Sequence, residues 1–344
     1  DLIVSRGLGD VYKRQSKQSG HLAKGRWILV GLRGVLEFVK IEHTLFSLPF
    51  ILIGYIHAHN QFWTELSSDR FGIDIVWILV AAVGARGLAM SLNRIIDRDI
   101  DAANPRTKSR HLASGAMTMK TAWTLSAVFL GMLLFGAWRL NEVALKMAWL
   151  PVLAFVVYPY TKRYTWLCHF WLGLCLGLAP AAAWVAVTAD VHGWYAITGG
   201  SGAYSQGHGE FLWYPEIFWI SLGVALWIAS FDINYARMDI KSDIENGIHS
   251  FPSKFGERAT TRTSIQLTLL WFACFAISNP VEEAWFLISA GIMCALNIGV
   301  VFYSERLPDF QTTLFRVSML TGWVLLASIV LTDSSEIERF ASGV

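Results

Sequence analysis

The sequence predicts an all-α, polytopic membrane protein with about nine transmembrane helices. Hydrophobic residues make up 54% of its 344 residues, charged residues only 16%, and the mean hydropathy is +0.44. In soluble domains about a quarter of the residues are charged, so this excess of apolar over charged residues is typical of a chain that lies in a bilayer. Apolar runs recur along the chain, most of them close to the roughly 20 residues that cross the hydrocarbon core.

These apolar runs predict the spans in order. They lie at 43–63, 73–93, 121–140, 144–160, 165–188, 214–235, 264–280, 284–303 and 313–332. The fourth run is short, so the number of spans changes by one if this run does not cross the membrane by itself. Residues 27–42, which precede the first span, predict an amphipathic helix on the cytoplasmic side.

Lysine and arginine residues predict the orientation. The connector at 94–120 holds six of them and the connector at 237–262 holds five, whereas none occurs between 164 and 236. The positive-inside rule therefore places both basic connectors and the N-terminus in the cytoplasm, and the glycine-rich loop at 190–213 outside. The net charge of +2 gives no indication of a nucleic-acid partner.

The domain organisation is predicted to be simple. We predict one transmembrane domain over residues 27–335, preceded by a disordered or non-native segment at 1–26 and followed by a tail at 336–344. Residues 1–15 share no pattern with the rest, so we expect them to be foreign sequence. The four cysteines lie inside predicted spans without metal-type spacing and are interpreted as packing residues.

Two groups of polar residues at helical spacing lie at cytoplasmic span ends. The first acidic segment (residues 93–101) and the second acidic segment (residues 232–243) contain, respectively, Asn93, Asp97 and Asp101, and Asp232, Asp239 and Asp243. Residues four apart share a helical face, and Tyr235 lies beside the second group. A single such pair is often only a solvated helix end. Because carboxylates are costly near hydrocarbon and Mg²⁺ prefers hard oxygen ligands, two such groups favour binding of Mg²⁺ and a diphosphate.

Basic side chains near these segments are predicted to neutralise phosphate oxygens. They are Arg106, Lys108 and Arg110, in the basic loop at 102–117, and Lys162, on a neighbouring connector. Arg86 lies inside the second span, where two interpretations are open. It either snorkels or pairs with an acid, or it anchors the carboxylate of an aromatic acid. His169, inside the fifth span, is interpreted as a hydrogen-bonded packing residue.

At these residues the chain resembles the UbiA-type intramembrane aromatic prenyltransferases, over about residues 30 to 335. That family carries an Asn-Asp-x-x-Asp-x-x-x-Asp motif and an Asp-x-x-Tyr-x-x-x-Asp-x-x-x-Asp motif. The matching residues are Asn93, Asp97 and Asp101, and Asp232, Tyr235, Asp239 and Asp243. Tyr158 and Lys162 lie in a connector similar to the family's Tyr-Pro-x-x-Lys-Arg sequence, which implies a role in diphosphate binding. Arg94 departs from the pattern, since an acid usually follows the motif's Asn, and His249 stands where a lysine is common.

The resemblance implies a helical bundle of about nine transmembrane helices around a central cavity, in the bacterial inner membrane, with its site on the cytoplasmic side. Its implied reaction is the Mg²⁺-dependent transfer of a polyprenyl group from polyprenyl diphosphate to a hydroxylated aromatic acid. Asp232 is the candidate proton acceptor, with Arg86 and Tyr235 as the other catalytic candidates. Several aromatic residues are candidates to stabilise the allylic cation, with packing as the alternative. They are Phe46, Trp171, Trp184 and Trp227.

Two acceptors and one different class of protein remain open. The chain resembles 4-hydroxybenzoate polyprenyltransferases of ubiquinone synthesis. Residues 40–49 and 93–107 also resemble a subgroup that prenylates 1,4-dihydroxy-6-naphthoate for menaquinone. Both acceptors are aromatic acids, so Arg86 does not separate them; heme O and chlorophyll synthases are less favoured. A secondary transporter is the different class, but acids at helix ends beside basic loops favour a diphosphate over a transport path.

Overall fold

A computed structural model describes residues 32–40, 44–62, 71–198, 215–281 and 283–332. Four predicted features lie wholly or mostly outside these residues: the segment 1–26, the start of the amphipathic helix, most of the loop 190–213 and the tail 336–344. The chain divides into two compact units, Asp1–Glu37 and Phe38–Val344. Of the first unit the structure describes only residues 32–37, which are helical.

Every regular element in the described residues is a helix, which confirms the all-α prediction. The α-helices are α1 Leu32–Val39, α2 Thr44–Phe62, α3 Phe71–Ile96, α4 Arg98–Ala103, α5 Met119–Leu140, α6 Glu142–Met147, α7 Trp149–Thr161, α8 Cys168–His192, α9 Tyr195–Thr198, α10 Pro215–Tyr235, α11 Ile240–Glu245, α12 Phe251–Ser278, α13 Ala284–Phe302 and α14 Phe310–Thr332. Two 3₁₀ turns, Ala236–Asp239 and Ser304–Arg306, lie between them.

Helices lie at each predicted span, with the fourth span divided between α6 and α7. Seven described helical stretches are long and apolar enough to cross a membrane. The other two positions are α2 and α12. Helix α2 ends in a polar run at residues 57–61, and the first half of α12 carries charged residues such as Lys254 and Arg258. These residues lower the hydropathy of both helices, so the number of nine crossings stays a prediction.

The long helices of the unit Phe38–Val344 form a ring. Helix α2 packs against α8 and α14, α8 packs against α10, and α10 packs against α12. Helix α13 closes the ring because it packs against both α12 and α14. Helices α3, α5 and α7 form a second group that joins the ring through contacts of α7 with α8.

Two glycines allow α8 to approach its neighbours closely. A Cβ atom at Gly54 of α2 would lie 2.2 Å from the carbonyl oxygen of Pro180 in α8. One at Gly173 of α8 would lie 2.3 Å from the carbonyl oxygen of Ala225 in α10. No side chain fits at either distance, so glycine is required at both contacts. Small residues of this kind are typical of helix packing in membranes.

Buried hydroxyl and amide groups fix α10 against α12. Ser230 Oγ lies 2.9 Å from Ser264 Oγ and 3.2 Å from Thr268 Oγ1, and Asn234 Nδ2 donates to Ser264 Oγ. Hydrogen bonds between helices hold membrane bundles together, because few other polar partners exist there. These contacts flank Asp232 in the sequence, so they fix the helix on which the second acidic segment begins.

An apolar cavity of about 250 Å³ lies between α2, α3, α5, α7 and α8. Its walls are mostly small or aliphatic residues, among them Ala85, Leu133 and Pro151. Arg86 is the only charged residue among the described residues that line it. The cavity therefore suits an apolar group with one anionic end.

Candidate active site

The first acidic segment continues the helical path of α3 into α4. The N–H of Asp97 donates to the carbonyl oxygen of Asn93 at 2.9 Å, and the N–H of Asp101 donates to that of Asp97 at 2.8 Å. These i→i−4 hydrogen bonds keep the four-residue spacing helical across the junction. Asp97 and Asp101 are buried, whereas Asp99 is exposed. Asn93, Asp97 and Asp101 thus lie on one helical face.

Asp97 lies against two basic residues of the connector between α7 and α8. Its Oδ2 accepts a hydrogen bond from Lys162 Nζ, and Arg163 Nη2 lies 3.8 Å from its Oδ1. That Oδ1 is buried and has no hydrogen-bond partner among the described residues. Burial raises the pKa of Asp97, although the charge of Lys162 acts in the opposite direction. A buried carboxylate oxygen with no donor is suited to bind a hard cation.

Asp101 pairs with two arginines. Arg110 Nη1 donates to Asp101 Oδ1 at 2.6 Å, and Arg94 Nη1 lies 3.7 Å from Asp101 Oδ2. Arg94 is only 5% exposed, and its Nη1 is buried with no hydrogen-bond partner in the described part of the chain. Arg94, which departs from the family pattern, is therefore a buried cation within the first acidic segment.

The second acidic segment is not one continuous α-helix. Helix α10 ends at Tyr235, the 3₁₀ turn Ala236–Asp239 follows, and α11 begins at Ile240. A 3₁₀ helix has about 3.0 residues per turn, so the spacing of seven between Asp232 and Asp239 does not correspond to two α-helical turns. The prediction that Asp232, Asp239 and Asp243 lie on one uninterrupted helical face is therefore wrong. Asp232 and Asp239 are both half-buried.

Asn104 and Arg106 of the basic loop join the first acidic segment to the second. Asn104 Nδ2 and Arg106 Nε donate to Asp239 Oδ1 at 3.0 and 2.9 Å, and Arg106 Nη2 donates to Asp239 Oδ2. The guanidinium thus contacts both oxygens of the carboxylate, a geometry that fixes orientation as well as charge. Burial lowers the pKa of Arg106, but its hydrogen bonds to Asp239 and the charge of that residue outweigh this and raise it. The two acidic segments therefore meet at one site.

Tyr235 and Lys108 occupy different positions at this site. The Arg106 guanidinium carbon lies 5.5 Å from the centre of the Tyr235 ring, within the range of a cation–π contact. The hydroxyl oxygen of Tyr235 accepts a hydrogen bond from Gln311 Nε2 at the start of α14. Lys108 is exposed and forms no ion pair with the residues that the structure describes. Of these two residues, only Tyr235 is therefore held in place by its neighbours.

Arg86 and Tyr158 lie closer to the membrane interior. Seven residues separate Arg86 from Asn93 on α3, which is about 10 Å along a helix axis. The Nε of Arg86 is buried and has no hydrogen-bond partner within the described ranges. Tyr158 is half-buried in the last turns of α7. Arg86 thus offers an N–H donor to the apolar cavity.

Five residues that contact predicted site residues were missed or interpreted otherwise. They are Arg94, Asn104, Arg163, His169 and Gln311. His169, interpreted as a packing residue, has its Nδ1 2.7 Å from Asp232 Oδ2. Asn104 and Asp239 are 135 positions apart in the sequence, so no local pattern relates them. An ionisable side chain inside a membrane span was the one signal available for His169.

The aromatic candidates divide into two groups. Phe46 stacks on Trp227 with ring centres 4.7 Å apart, and the Phe231 ring lies 4.9 Å from Phe46, next to Asp232 in the sequence. Trp184 instead donates from Nε1 to Gln61 Oε1 at the far end of α2, and Trp171 donates from Nε1 to the carbonyl oxygen of Ala154 in α7. We therefore retain the cluster around Phe46 as a candidate and assign Trp184 to packing.

Within the described residues, no three His, Cys, Asp or Glu side chains are grouped closely enough to hold a metal ion. The reason is visible in the ion pairs, since Asp97, Asp101 and Asp239 each face a basic side chain instead. The donor set nevertheless fits Mg²⁺, because its oxygens are hard ligands and Asp97 Oδ1 lacks a donor.

The helical bundle, the apolar cavity and the joined acidic segments are the features expected of an enzyme that acts within a membrane on an apolar, anionic substrate. Residues 47–321 match the UbiA prenyltransferase family, and the chain belongs to that family. The protein is therefore an integral membrane prenyltransferase, and the transporter alternative is not supported.

Relatives of established name and structure agree with this assignment. A 4-hydroxybenzoate octaprenyltransferase of Alcanivorax borkumensis is 29% identical over 247 residues, which cover 70% of this chain and 77% of the relative. The apo structure of a UbiA homolog from Aeropyrum pernix K1 is 27% identical, with a TM-score of 0.69 over 85% of this chain and 98% of that one. A UbiA homolog from Archaeoglobus fulgidus bound to GPP and Mg²⁺ is 17% identical, with a TM-score of 0.55 over 86% and 99%. At that identity the likeness shows the fold.

Proposed function

We propose that this prenyltransferase transfers a polyprenyl group from its diphosphate to the ring of a hydroxylated aromatic acid, 4-hydroxybenzoate, in the presence of Mg²⁺. The proposed metal ligands are Asn93, Asp97, Asp101, Asp239 and Asp243. The proposed diphosphate-binding residues are Arg106, Lys108, Arg110, Tyr158 and Lys162. The site would face the cytoplasm from the bacterial inner membrane. The contact of Arg106 with Asp239, which joins the two acidic segments, is the observation that carries the proposal.

The ion pairs of the site suit a metal-bound diphosphate. Each of three pairs contains one group for a phosphate oxygen and one for a divalent cation: Asp97 with Lys162, Asp101 with Arg110, and Asp239 with Arg106. A buried charge is costly once it loses its partner. Phosphate and metal would therefore enter together, so that the phosphate pairs with the basic side chain and the metal with the carboxylate. Bound Mg²⁺ would stabilise the charge that develops on the departing diphosphate.

The residues of this chain account for each step of the transfer. The bond between the allylic carbon and the diphosphate oxygen breaks, and its electron pair leaves with the diphosphate. Arg106 and Lys162 stabilise that negative charge. A ring carbon ortho to the hydroxyl then forms the new C–C bond with a π electron pair. Asp232 takes the proton from that carbon, and the C–H electron pair restores the aromatic ring.

The apolar surroundings protect the cation formed on bond cleavage. Phe46, Trp227 and Phe231 form an aromatic cluster beside Asp232, and their π faces attract positive charge. The bundle excludes water, which would otherwise capture the allylic cation.

Arg86 supports an acid as the acceptor. Its buried Nε lines an apolar cavity without a partner in the described residues, as expected of a site for a carboxylate on an otherwise apolar molecule. A guanidinium binds a carboxylate through two parallel hydrogen bonds, which also orients the ring. The anchor interpretation is therefore favoured over snorkelling.

The second candidate acceptor is 1,4-dihydroxy-6-naphthoate. It carries the same carboxylate and hydroxyl groups, so Arg86 fits both acids, and the sequence at 93–107 resembles enzymes that use it. The name of the Alcanivorax borkumensis relative favours 4-hydroxybenzoate.

A competition experiment tests both proposals. Membranes that contain the protein are supplied with Mg²⁺, one polyprenyl diphosphate and equal amounts of the two acids, and products are identified by mass spectrometry. We expect pyrophosphate release and prenylated 4-hydroxybenzoate as the main product. A predominance of the prenylated naphthoate would reassign the acceptor. If correctly folded protein forms no product from either acid, the proposed function is contradicted.

A further inference from the structure

His169 connects three helices through its two ring nitrogens. Its Nδ1 lies 2.7 Å from Asp232 Oδ2 on α10, and its Nε2 accepts a hydrogen bond from the backbone N–H of Phe251 at 3.1 Å. Phe251 is the first residue of α12. The imidazole is only 4% exposed, so these two contacts are not replaced by solvent.

The contact with Phe251 fixes the tautomer of His169. A backbone N–H can only donate, so Nε2 must present its lone pair and the proton of the neutral ring must lie on Nδ1. The first N–H groups of a helix have no partner within the helix, which leaves that of Phe251 free for this contact. A capping box between Ser250 and Ser253 holds the helix start in place. Nδ1–H therefore donates to Asp232.

We infer that His169 is a positioning residue for Asp232, with its tautomer set by the start of α12. The inference rests on the proposed function, in which Asp232 accepts the ring proton of the acceptor. The Nδ1–H bond holds Oδ2 in place without neutralising the carboxylate, and leaves Oδ1 for the incoming proton. The Asp232 side chain is 21% accessible, in keeping with a group that must meet a substrate.

The alternative is that His169 only fastens α8 to α12. Two substitutions separate these roles because each keeps one of the two hydrogen bonds. In His169→Asn the amide nitrogen takes the place of Nδ1 and can donate to Asp232, but nothing accepts from Phe251. In His169→Gln the amide oxygen takes the place of Nε2 and can accept from Phe251, but the donor to Asp232 is lost.

We expect kcat to fall about 100-fold in His169→Gln, the scale of loss when a catalytic group is misplaced by about 1 Å. His169→Asn should keep most of the wild-type kcat, and both variants should keep the wild-type KM for the diphosphate. The kinetics are measured on detergent-solubilised full-length protein of matched thermal stability. Equal loss of kcat in both variants, or a larger loss in His169→Asn, would overturn the inference.

An isotope effect provides a readout that a purely structural role would not change. The acceptor is deuterated at the ring carbons ortho to its hydroxyl, and kcat is compared with that of the unlabelled acid. In His169→Gln we expect a larger primary isotope effect, because proton removal becomes rate-limiting. An unchanged isotope effect at reduced kcat would assign His169 to structure alone. Failure of the proposed function is distinguishable, since the wild-type protein would then prenylate neither acid.

Discussion

The two acidic segments differ in what faces their carboxylates. In the first, Asp97 and Asp101 are buried and each faces basic side chains. In the second, Asp239 also faces a cation, but Asp232 faces the imidazole of His169, whose other ring nitrogen accepts a hydrogen bond and therefore carries no proton. A carboxylate that faces a cation can exchange that cation for a metal when a phosphate arrives. A carboxylate that faces a neutral donor is oriented while its charge stays available for a proton.

From this difference we propose that the carboxylates paired with cations serve ionisation of the diphosphate and that Asp232 removes the proton. The largest effect is expected when the metal is removed. We expect chelation with EDTA to abolish pyrophosphate release and prenylated product together, since the diphosphate then loses its counter-charge. Added Mg²⁺ in excess should restore both. Unchanged turnover after exhaustive chelation would contradict a metal-dependent first step.

The next effect concerns the carboxylates that face cations. We expect Asp97→Asn and Asp239→Asn to lower pyrophosphate release by about 100- to 1,000-fold, the scale of loss of one electrostatic contact to a transition state. Asp99→Asn is the matched control, because Asp99 lies in the same segment but is exposed. Release of pyrophosphate is measured in membranes with equal amounts of folded protein. Near-normal rates for both Asp97→Asn and Asp239→Asn would refute the assignment.

Asp232 should behave differently from those residues. We expect Asp232→Asn to reduce prenylated product about 100-fold, the lower range of a general-base contribution, while the KM for the diphosphate stays close to the wild-type value. Initial rates at varied diphosphate and acceptor concentrations measure both quantities. If Asp232→Asn instead weakens diphosphate binding as Asp97→Asn does, the proposed division between the segments is lost.

The smallest effect should come from Arg86. We expect Arg86→Gln to raise the KM for the acceptor acid roughly 10- to 100-fold, the worth of a hydrogen bond between charged groups, with the KM for the diphosphate unchanged. Arg139→Gln is a suitable control, since Arg139 is exposed near the other end of the bundle, over the Trp77 ring. An equal rise for both substrates would place Arg86 in the diphosphate site instead.

The sequence predicted the positions of the helices better than their extent. The run at 121–140 corresponds to Met119–Leu140, and the run at 284–303 to Ala284–Phe302, because hydropathy is a local property. The run at 264–280 gave only half of α12, which begins at Phe251 and is kinked at Gly256, where φ is 78°. Its first half is polar, so its helical structure left no trace in hydropathy.

The sequence likewise predicted only part of the candidate site. Spacing alone placed Asp97 and Asp101 on one face, since both lie on a nearly continuous helix. It failed between Asp232 and Asp239, where a 3₁₀ turn intervenes. The contact of His169 with Asp232 joins residues 63 positions apart, and its second partner is a backbone N–H, which has no residue type to detect.

The contact of Gly54 with Pro180 has a consequence for how this bundle tolerates change. One methyl group at position 54 would meet the backbone of α8 at 2.2 Å and force the two helices apart. Eight residues earlier on the same helix, Phe46 rests on Trp227 of α10. A mutation that adds a single carbon would therefore loosen the aromatic lining beside Asp232, and impair catalysis without changing any charged side chain.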